Sequence, residues 1–115
     1  MTDSDTVIKQ TRPLDDGYYI ALEGEVDLSR SPALRNELMQ VTSNQPKQLV
    51  VDLAEVTYMD SSGVATLVEA LQKMRQHGGE MRLCRLQPRV RSIFEIARLD
   101  TVFTIADECD VDTSE

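Results

Sequence analysis

The order of apolar and polar positions along the chain predicts strands and helices in alternation. Two short strand patterns, over residues 6–12 and 18–22, flank a turn that ends in Asp16-Gly17. Asp-Gly favours a tight connection, so these two strands are predicted to pair antiparallel. The nearly continuous apolar run at 49–53 is typical of a strand buried on both faces. A shorter strand is predicted at 81–84, and residues 102–105 are predicted to be a last short strand or an extended tail along the domain.

Three stretches between the later strands show helical spacing. Ser31 is the candidate N-cap of the first helix, with Pro32 at the first helical position. The second helix begins near residues 60–62, carries an apolar stripe at helical spacing, and ends at His77-Gly78-Gly79. The third opens at Pro88, and its predicted apolar face holds Val90, Ile93, Phe94 and Ala97.

These elements predict an α/β fold in a single domain. A leading hairpin followed by alternating helices and strands gives a mixed four- to five-stranded sheet, with about three to four helices packed mainly on one face. The domain is expected to span residues 6–106. Residues 1–5 are expected to form a short polar tail. The acidic residues from Asp107 to Glu115 are expected to form a solvated, flexible tail.

Composition narrows the class of partner. Among 115 residues, 20 acids outnumber 12 Lys and Arg, for a net charge of −8. Such a chain repels nucleic-acid phosphates and anionic lipid, so neither is expected as its main partner. No apolar stretch approaches the ~20 residues of a membrane span, so membrane insertion is not expected either. The polar start of the chain lacks the pattern of a secretory signal, and a cytoplasmic protein is expected. The two cysteines, Cys84 and Cys109, predict neither a disulfide framework nor a metal site, and Cys84 is expected to be a small buried apolar residue.

Residues 73–98 run against this overall acidity, because seven bases and two acids give them a net charge of +5. Two interpretations are open. The arginine stems can cover ordinary surface, or the stretch can form a docking face for an acidic partner.

Enzymatic chemistry finds little support in the sequence. A nucleophilic serine needs a base within hydrogen-bond reach. The single histidine, His77, lies at the far end of the helix that Ser61 begins, about 24 Å away at 1.5 Å per residue. No glycine-rich phosphate loop or metal-ligand spacing occurs. We therefore predict no catalytic residues, no cofactor and no metal, and a protein that is not an enzyme.

The most informative segment is Met59-Asp60-Ser61-Ser62-Gly63-Val64, at the predicted start of the second helix. Either Asp60 or Ser61 can cap this helix, so one hydroxyl is left spare. A phosphate on that hydroxyl would suit the positive end of the helix dipole and would be felt by a docked partner more than by the fold. Capping alone is the alternative interpretation.

Four segments together resemble the STAS domain, named for sulfate transporters and anti-sigma-factor antagonists. They are Gly24-Glu25-Val26-Asp27, Val50-Val51-Asp52-Leu53, residues 59–64, and Gly78-Gly79-Glu80-Met81. The resemblance covers residues 6–106. Within the STAS family, the sequence resembles more specifically the bacterial anti-sigma-factor antagonists, also called anti-anti-sigma factors.

This resemblance implies a partner-switching function. The unphosphorylated antagonist binds an anti-sigma factor that is also a serine kinase, which releases the sigma factor. The kinase inactivates the antagonist by phosphorylating the position of Ser61, and a serine phosphatase restores it. The resemblance places Asp60, Ser62 and Gly63 around that serine, and Asp27 on the same partner-facing surface, with no cofactor in the antagonist. The alternative it implies is a cytoplasmic STAS subunit that binds the ATPase of a lipid-transport ABC transporter.

Overall fold

A computed structural model describes residues 6–111. The predicted N-terminal tail and residues 112–115 lie outside that range. Eight elements follow one another along the chain: β1 (Ile8–Pro13), β2 (Gly17–Val26), α1 (Ser31–Thr42), β3 (Gln48–Met59), α2 (Ser61–Gln76), β4 (Glu80–Cys84), α3 (Pro88–Ile96) and β5 (Thr104–Ala106).

The strands form one sheet in the order β1-β2-β3-β4-β5. β1 pairs antiparallel with β2, and each later neighbour is parallel. Parallel neighbours require a crossover, and α1, α2 and α3 supply the three crossovers. The predicted mixed sheet with a leading antiparallel hairpin is confirmed.

All three helices contribute to one apolar layer on one face of the sheet. Alternation along β3 divides its side chains between the two faces, so Leu49, Val51 and Leu53 join the helix-side core while Val50 joins a second cluster. From the helices, Leu38, Leu67 and Phe94 fill the same layer and are fully buried. The prediction of helices mainly on one face is confirmed.

Strands β2 and β3 are longer than their apolar patterns predicted. Both continue through exposed residues to Val26 and Met59, which pair with each other at the ends of the strands. The register shifts twice along this pairing, and Gly24 between the shifts has a φ of +81°. Such irregular pairing interrupts the alternation of buried and exposed side chains from which sequence patterns are read.

The start of α1 differs from the prediction. Arg30, not Ser31, stands at the N-cap and makes no side-chain cap, and Pro32 is the second helical residue. Ser31 is buried, and its backbone N–H donates to the carbonyl of Asp27 at 2.8 Å. The predicted N-cap role of Ser31 is therefore wrong, because a turn based on Asp27 leads the chain into this helix.

The face of the sheet without helices, called here the open face, carries a disulfide. Cys84 at the end of β4 is bonded to Cys109, with 5.1 Å between their Cα atoms. The prediction of no disulfide is wrong. Cys84 is fully buried as expected, but its sulfur is bonded rather than free. The spacing of the two cysteines in the sequence did not indicate that they pair. They are 25 residues apart and come together because β5 pairs with β4.

The segment after β5 also differs from the expected solvated tail. Its acids Asp107, Glu108 and Asp110 are exposed, but Cys109 between them is only 7% exposed. Cys109 packs with Tyr19, Ala21 and Val50 on the open face. Residues 107–111, called here the C-terminal strap, are thus attached to the sheet.

A carboxylate network lies on the open face. Asp52, in β3, is 3% exposed. Its Oδ2 accepts from the Tyr19 hydroxyl and from Arg85 Nη2, both at 2.6 Å. Its Oδ1 accepts from Arg85 Nε at 3.2 Å and from the Ala54 amide at 3.0 Å. Each oxygen of the buried carboxylate therefore has two donors, and the arginine binds both oxygens.

The network shifts the protonation of its members. Burial alone raises the pKa of Asp52, but the bonds from Arg85, Tyr19 and the Ala54 amide outweigh burial and hold the pKa below its usual 3.8. Burial, followed by the bond to Asp52, raises the pKa of Tyr19 to about 12. Asp52 is therefore ionised and Tyr19 protonated at neutral pH.

Asp52→Asn should lower the free energy of unfolding at pH 7 by about 1–3 kcal/mol, because the arginine loses its charged acceptor. The depressed pKa stabilises the fold above the unfolded value of 3.8, and this stabilisation is lost as pH falls through the folded value. Urea unfolding at several pH values should therefore show the difference from wild type shrinking with acid. Asp100→Asn, at an exposed position, is the matched control. An equal difference at every pH would contradict the assigned ion pair.

Candidate functional site

The junction between β3 and α2 is organised by Asp60. Its backbone is extended and its Oδ1 caps the helix, accepting from the amides of Ser62 at 2.9 Å and Gly63 at 3.3 Å. The Ser62 hydroxyl donates to the same oxygen at 2.6 Å. The capping residue is therefore Asp60, and the hydroxyl of Ser62 is committed to supporting the cap.

Ser61 is the first residue of α2 and is exposed. Its hydroxyl makes no hydrogen bond within residues 6–111, although both of its neighbours are engaged. Of the two candidate caps, Asp60 is correct and Ser61 is not. The spare hydroxyl that the sequence predicted at this helix start belongs to Ser61.

Gly63 is required by close packing rather than by backbone conformation. A Cβ at this position would lie 2.8 Å from the side chains of both Met59 and Val26, and 3.0 Å from the Val26 carbonyl oxygen. The first turn of α2 therefore lies directly against the ends of β2 and β3. Any larger residue would push the helix start, and Ser61 with it, away from the sheet.

Asp27 organises the neighbouring turn at the end of β2. Its Oδ1 accepts from the Ser29 amide at 3.1 Å, the Ser29 hydroxyl at 2.9 Å and the Arg30 amide at 3.1 Å. Its Oδ2 pairs with Arg30 Nη1 at 2.9 Å. The Asp60 amide donates to the Val26 carbonyl at 3.1 Å, which joins the two turns. The structure thus brings Asp27 beside the segment 60–63.

Both carboxylates are held in their charged form. The bond from the Ser62 hydroxyl lowers the pKa of Asp60 despite partial desolvation, and the amides of Gly63, Ser62 and Leu28 lower it further. The Ser29 hydroxyl likewise lowers the pKa of Asp27, with help from the backbone and charge of Arg30. The surface around Ser61 therefore presents two fixed negative charges and one arginine at neutral pH.

Two apolar side chains on these strands and turns were not predicted as site residues. Leu28, between Asp27 and Ser29, is 74% exposed, and Tyr58, near the end of β3, is 41% exposed. The sequence feature that could have identified Leu28 is its position as an isolated leucine among polar residues just before a helix. Apolar side chains displayed beside fixed charges are the usual makeup of a surface that binds another protein.

The arrangement offers no partner for nucleophilic catalysis by Ser61. His77 lies at the C-terminal end of the helix that Ser61 begins, and its Nε2 is 2.7 Å from the Pro46 carbonyl oxygen. The two residues are thus separated by the whole length of α2, as predicted.

The basic stretch at 73–98 makes local contacts. Arg75 donates to the Val102 carbonyl, Arg82 to the Cys109 carbonyl, and Arg91 to its helix neighbour Glu95. Arg85 is bound to Asp52. These engagements favour the structural interpretation of the stretch over a docking face for an acidic partner.

Within the part of the chain that the structure describes, no helix is long and apolar enough to cross a membrane.

Comparison with known proteins agrees with this architecture. The family model of the STAS domain matches residues 7–111. BtrV of Bordetella bronchiseptica is 33% identical over 100 residues, covering 86% of each chain. The anti-sigma-B factor antagonist of Bacillus subtilis is 30% identical over 92 residues, covering 80% of this chain and 84% of its own.

Solved structures share the same fold. A crystal structure of an anti-sigma factor antagonist from Mycobacterium paratuberculosis superposes with a TM-score of 0.83 at 24% identity, covering 96% and 93% of the two chains. The Bacillus cell-fate determinant SpoIIAA in its phosphorylated form gives a TM-score of 0.69 at 21% identity, covering 86% and 91%.

The chain belongs to the STAS domain family. Within that family it is similar to proteins named as anti-sigma factor antagonists, so the resemblance found in the sequence is confirmed. The role that these names describe is regulatory binding of another protein, which agrees with the prediction of a protein that is not an enzyme.

Asp60→Ala should lower the free energy of unfolding by about 1–2 kcal/mol, because two amides of α2 and the Ser62 hydroxyl lose their acceptor. Ser61→Ala should change it by less than about 0.5 kcal/mol, since this exposed hydroxyl supports nothing in the fold. Urea unfolding of the two variants and wild type at neutral pH measures both effects. Equal losses in the two variants would identify Ser61 as part of the cap.

Proposed function

We propose that this protein is an anti-sigma factor antagonist that binds its partner through the surface around Ser61 and is switched off by phosphorylation of that serine. The observation that carries the proposal is the exposed, unbonded hydroxyl of Ser61 beside a fully engaged Ser62. Asp27, Asp60, Ser62 and Gly63 form the surrounding surface, to which we add Leu28.

The position suits a phosphate without disturbing the domain. Ser61 begins a helix of 16 residues, where backbone N–H groups and the helix dipole favour an anion. The cap itself is made by Asp60, so modification of Ser61 removes no hydrogen bond on which the helix depends. Phosphorylation is therefore expected to leave the fold in place.

A partner would experience a larger change. The phosphate adds about −1.5 to −2 charges to a surface where the carboxylates of Asp60 and Asp27 are already ionised. It also places three bulky acceptor oxygens at a position that was a small hydroxyl. A partner fitted to the unmodified surface then meets both steric conflict and excess negative charge, which weakens binding.

The class of partner follows from the family. The names of relatives support an anti-sigma factor as the protein bound, and a partner that is also a serine kinase would explain how ATP is used to switch the antagonist off. A serine phosphatase would restore binding. The description of SpoIIAA in a phosphorylated form supports the modification. These partners place the protein in the cytoplasm, and the antagonist itself would need no cofactor.

Affinity capture from the native cell extract should separate this function from a transporter role. Wild type and Ser61→Ala are expected to retain an anti-sigma factor with a kinase domain, identified by mass spectrometry. Ser61→Asp should retain at least tenfold less of this anti-sigma factor than wild type, because a negative charge then lies where the partner docks.

Ser92→Asp, which places the same charge on an exposed residue of α3, is the matched control and should behave as wild type. Thermal midpoints of all variants should agree within about 2 °C, which shows that any loss is local. Retention of a transporter ATPase by wild type and Ser61→Asp alike would contradict the proposal and support the STAS subunit of a lipid-transport complex.

Incubation of the protein with the captured kinase and ATP should phosphorylate Ser61 and leave Ser62 unmodified, because only the first hydroxyl is exposed and free. Tandem mass spectrometry of the peptide containing both serines locates the phosphate. Ser61→Ala should abolish the product, and Ser62→Ala should preserve it. A phosphate on Ser62 in wild type would contradict the site assigned here.

A further inference from the structure

The disulfide ties the C-terminal strap to β4, the fourth of the five strands, on the open face. Cys84 ends β4, and Cys109 lies in the middle of the strap, with 25 residues of separation that include α3 and β5. Cys84 is fully buried and Cys109 is 7% exposed. The strap has no helix or strand of its own, so little regular hydrogen bonding holds it in place beyond the covalent bond.

The remaining contacts of the strap are few. Cys109 and Val111 pack on Tyr19, Ala21 and Val50. Arg82 Nη2 donates to the Cys109 carbonyl at 2.6 Å, while Arg82 Nε is buried with no partner in the described chain. The hydrogen bond from Arg82 is non-covalent, so it holds the strap less firmly than the disulfide does.

Attraction between the acids of the strap and nearby arginines also helps to hold the strap, but solvent screens this attraction. The exposed acids Asp107, Glu108 and Asp110 follow β5, next to the strand that carries Arg82 and the Arg85 that follows it. Glu108 contributes to a raised pKa of Arg85, after the larger effect of Asp52. Exposed pairs of this kind are worth little at physiological salt, so they slow release of the strap rather than prevent it.

We infer that Cys84 and Cys109 form a reversible thiol–disulfide switch, whose reduction releases the C-terminal strap and uncovers the open face of the sheet. The inference rests on the proposed function only for its cytoplasmic setting, where protein disulfides are usually catalytic or redox-sensing rather than permanent. The more exposed sulfur, that of Cys109, is the point of attack once the strap opens locally.

The reaction requires a dithiol reductant of the thioredoxin type. A thiolate of the reductant attacks Cys109 Sγ, the Cys84–Cys109 bond breaks, and Cys84 leaves as a thiolate that takes up a proton. The second thiol of the reductant then attacks the reductant sulfur that is bonded to Cys109. That bond breaks, and Cys109 leaves as a thiolate that also takes up a proton. Two electrons and two protons pass to the protein, which gains two thiols, and the reductant becomes a disulfide.

Release would uncover a defined surface. Tyr19, Ala21 and Val50 lose the apolar cover of Cys109, and the buried Asp52 loses the neighbouring sulfur as cover. The geometry does not favour metal binding by the freed thiols. The two sulfurs and an Asp52 oxygen lie within 4.8 Å of one another, but the carboxylate is already bound by Arg85 and Tyr19.

The switch is remote from Ser61. Cys84 is paired with Asp52 across the sheet, and β3 continues for seven more residues to Met59 before the helix start. At about 3.3 Å per residue the two sites are about 23 Å apart along the strand. The redox state can therefore change without altering the cap at Asp60, and the two proposals can fail independently.

Hydrogen–deuterium exchange of the full chain in oxidised and reduced dithiothreitol buffers tests the inference without any partner. Trapping of free thiols with iodoacetamide and intact mass report the redox state. Reduction should accelerate amide exchange at least tenfold in β5 and at Arg85, whose N–H donates to the Ala106 carbonyl just before the strap. Exchange at the start of α2 should stay unchanged, and reoxidation should restore the slow rates.

Cys109→Ser is the matched variant and should show the fast exchange in either buffer, since it removes the disulfide. If Cys84→Ser fails to fold, Cys109→Ser alone decides. Free thiols in the oxidised buffer, or unchanged exchange in β5 and at Arg85 after reduction, would overturn the inference. Exchange rising together in all peptides would also overturn it, because the disulfide would then be a staple of the whole fold.

Discussion

The parallel pairing of β2 with β3 is the constraint on which the rest of the molecule depends. Its register places Val26 opposite Met59, so the turns that follow both strands emerge side by side. The same pairing places Ala21 opposite Asp52 on the open face, beside Tyr19. One ladder of hydrogen bonds thus positions the surface around Ser61 and the buried carboxylate network, although these lie in different parts of the domain.

The two faces of the sheet are stabilised by different physics. The helix side is a dry aliphatic layer, where burial of apolar area supplies the driving force. The open face has a small apolar cluster, a bidentate ion pair and a disulfide in place of a helix layer. A sheet of this size needs cover on both faces, and here a short acidic segment supplies part of the cover that a fourth helix would give.

Sequence patterns predicted the elements that alternate cleanly and missed those set by long-range contact. The apolar stripe of α2, the break at Gly78-Gly79 and the capped start at Asp60 are local signals, and the structure confirms them. Most residues in the outer halves of β2 and β3 are exposed, and register shifts interrupt their alternation, so the pairing left no clear apolar pattern. The Cys84–Cys109 bond and the Asp52–Arg85 pair join residues far apart in sequence, and spacing alone holds no information on them.

The packing of Gly63 has a consequence for the thermodynamics of association. The helix start is pressed against Val26 and Met59, and both neighbouring turns are closed by their own aspartates. A protein that binds there meets a surface already ordered, so little conformational entropy is lost on contact. Small interfaces can then reach useful affinity. The two closed turns also have little freedom to move aside for an added group. A group added to this surface therefore acts directly on the bound partner and changes its dissociation rate.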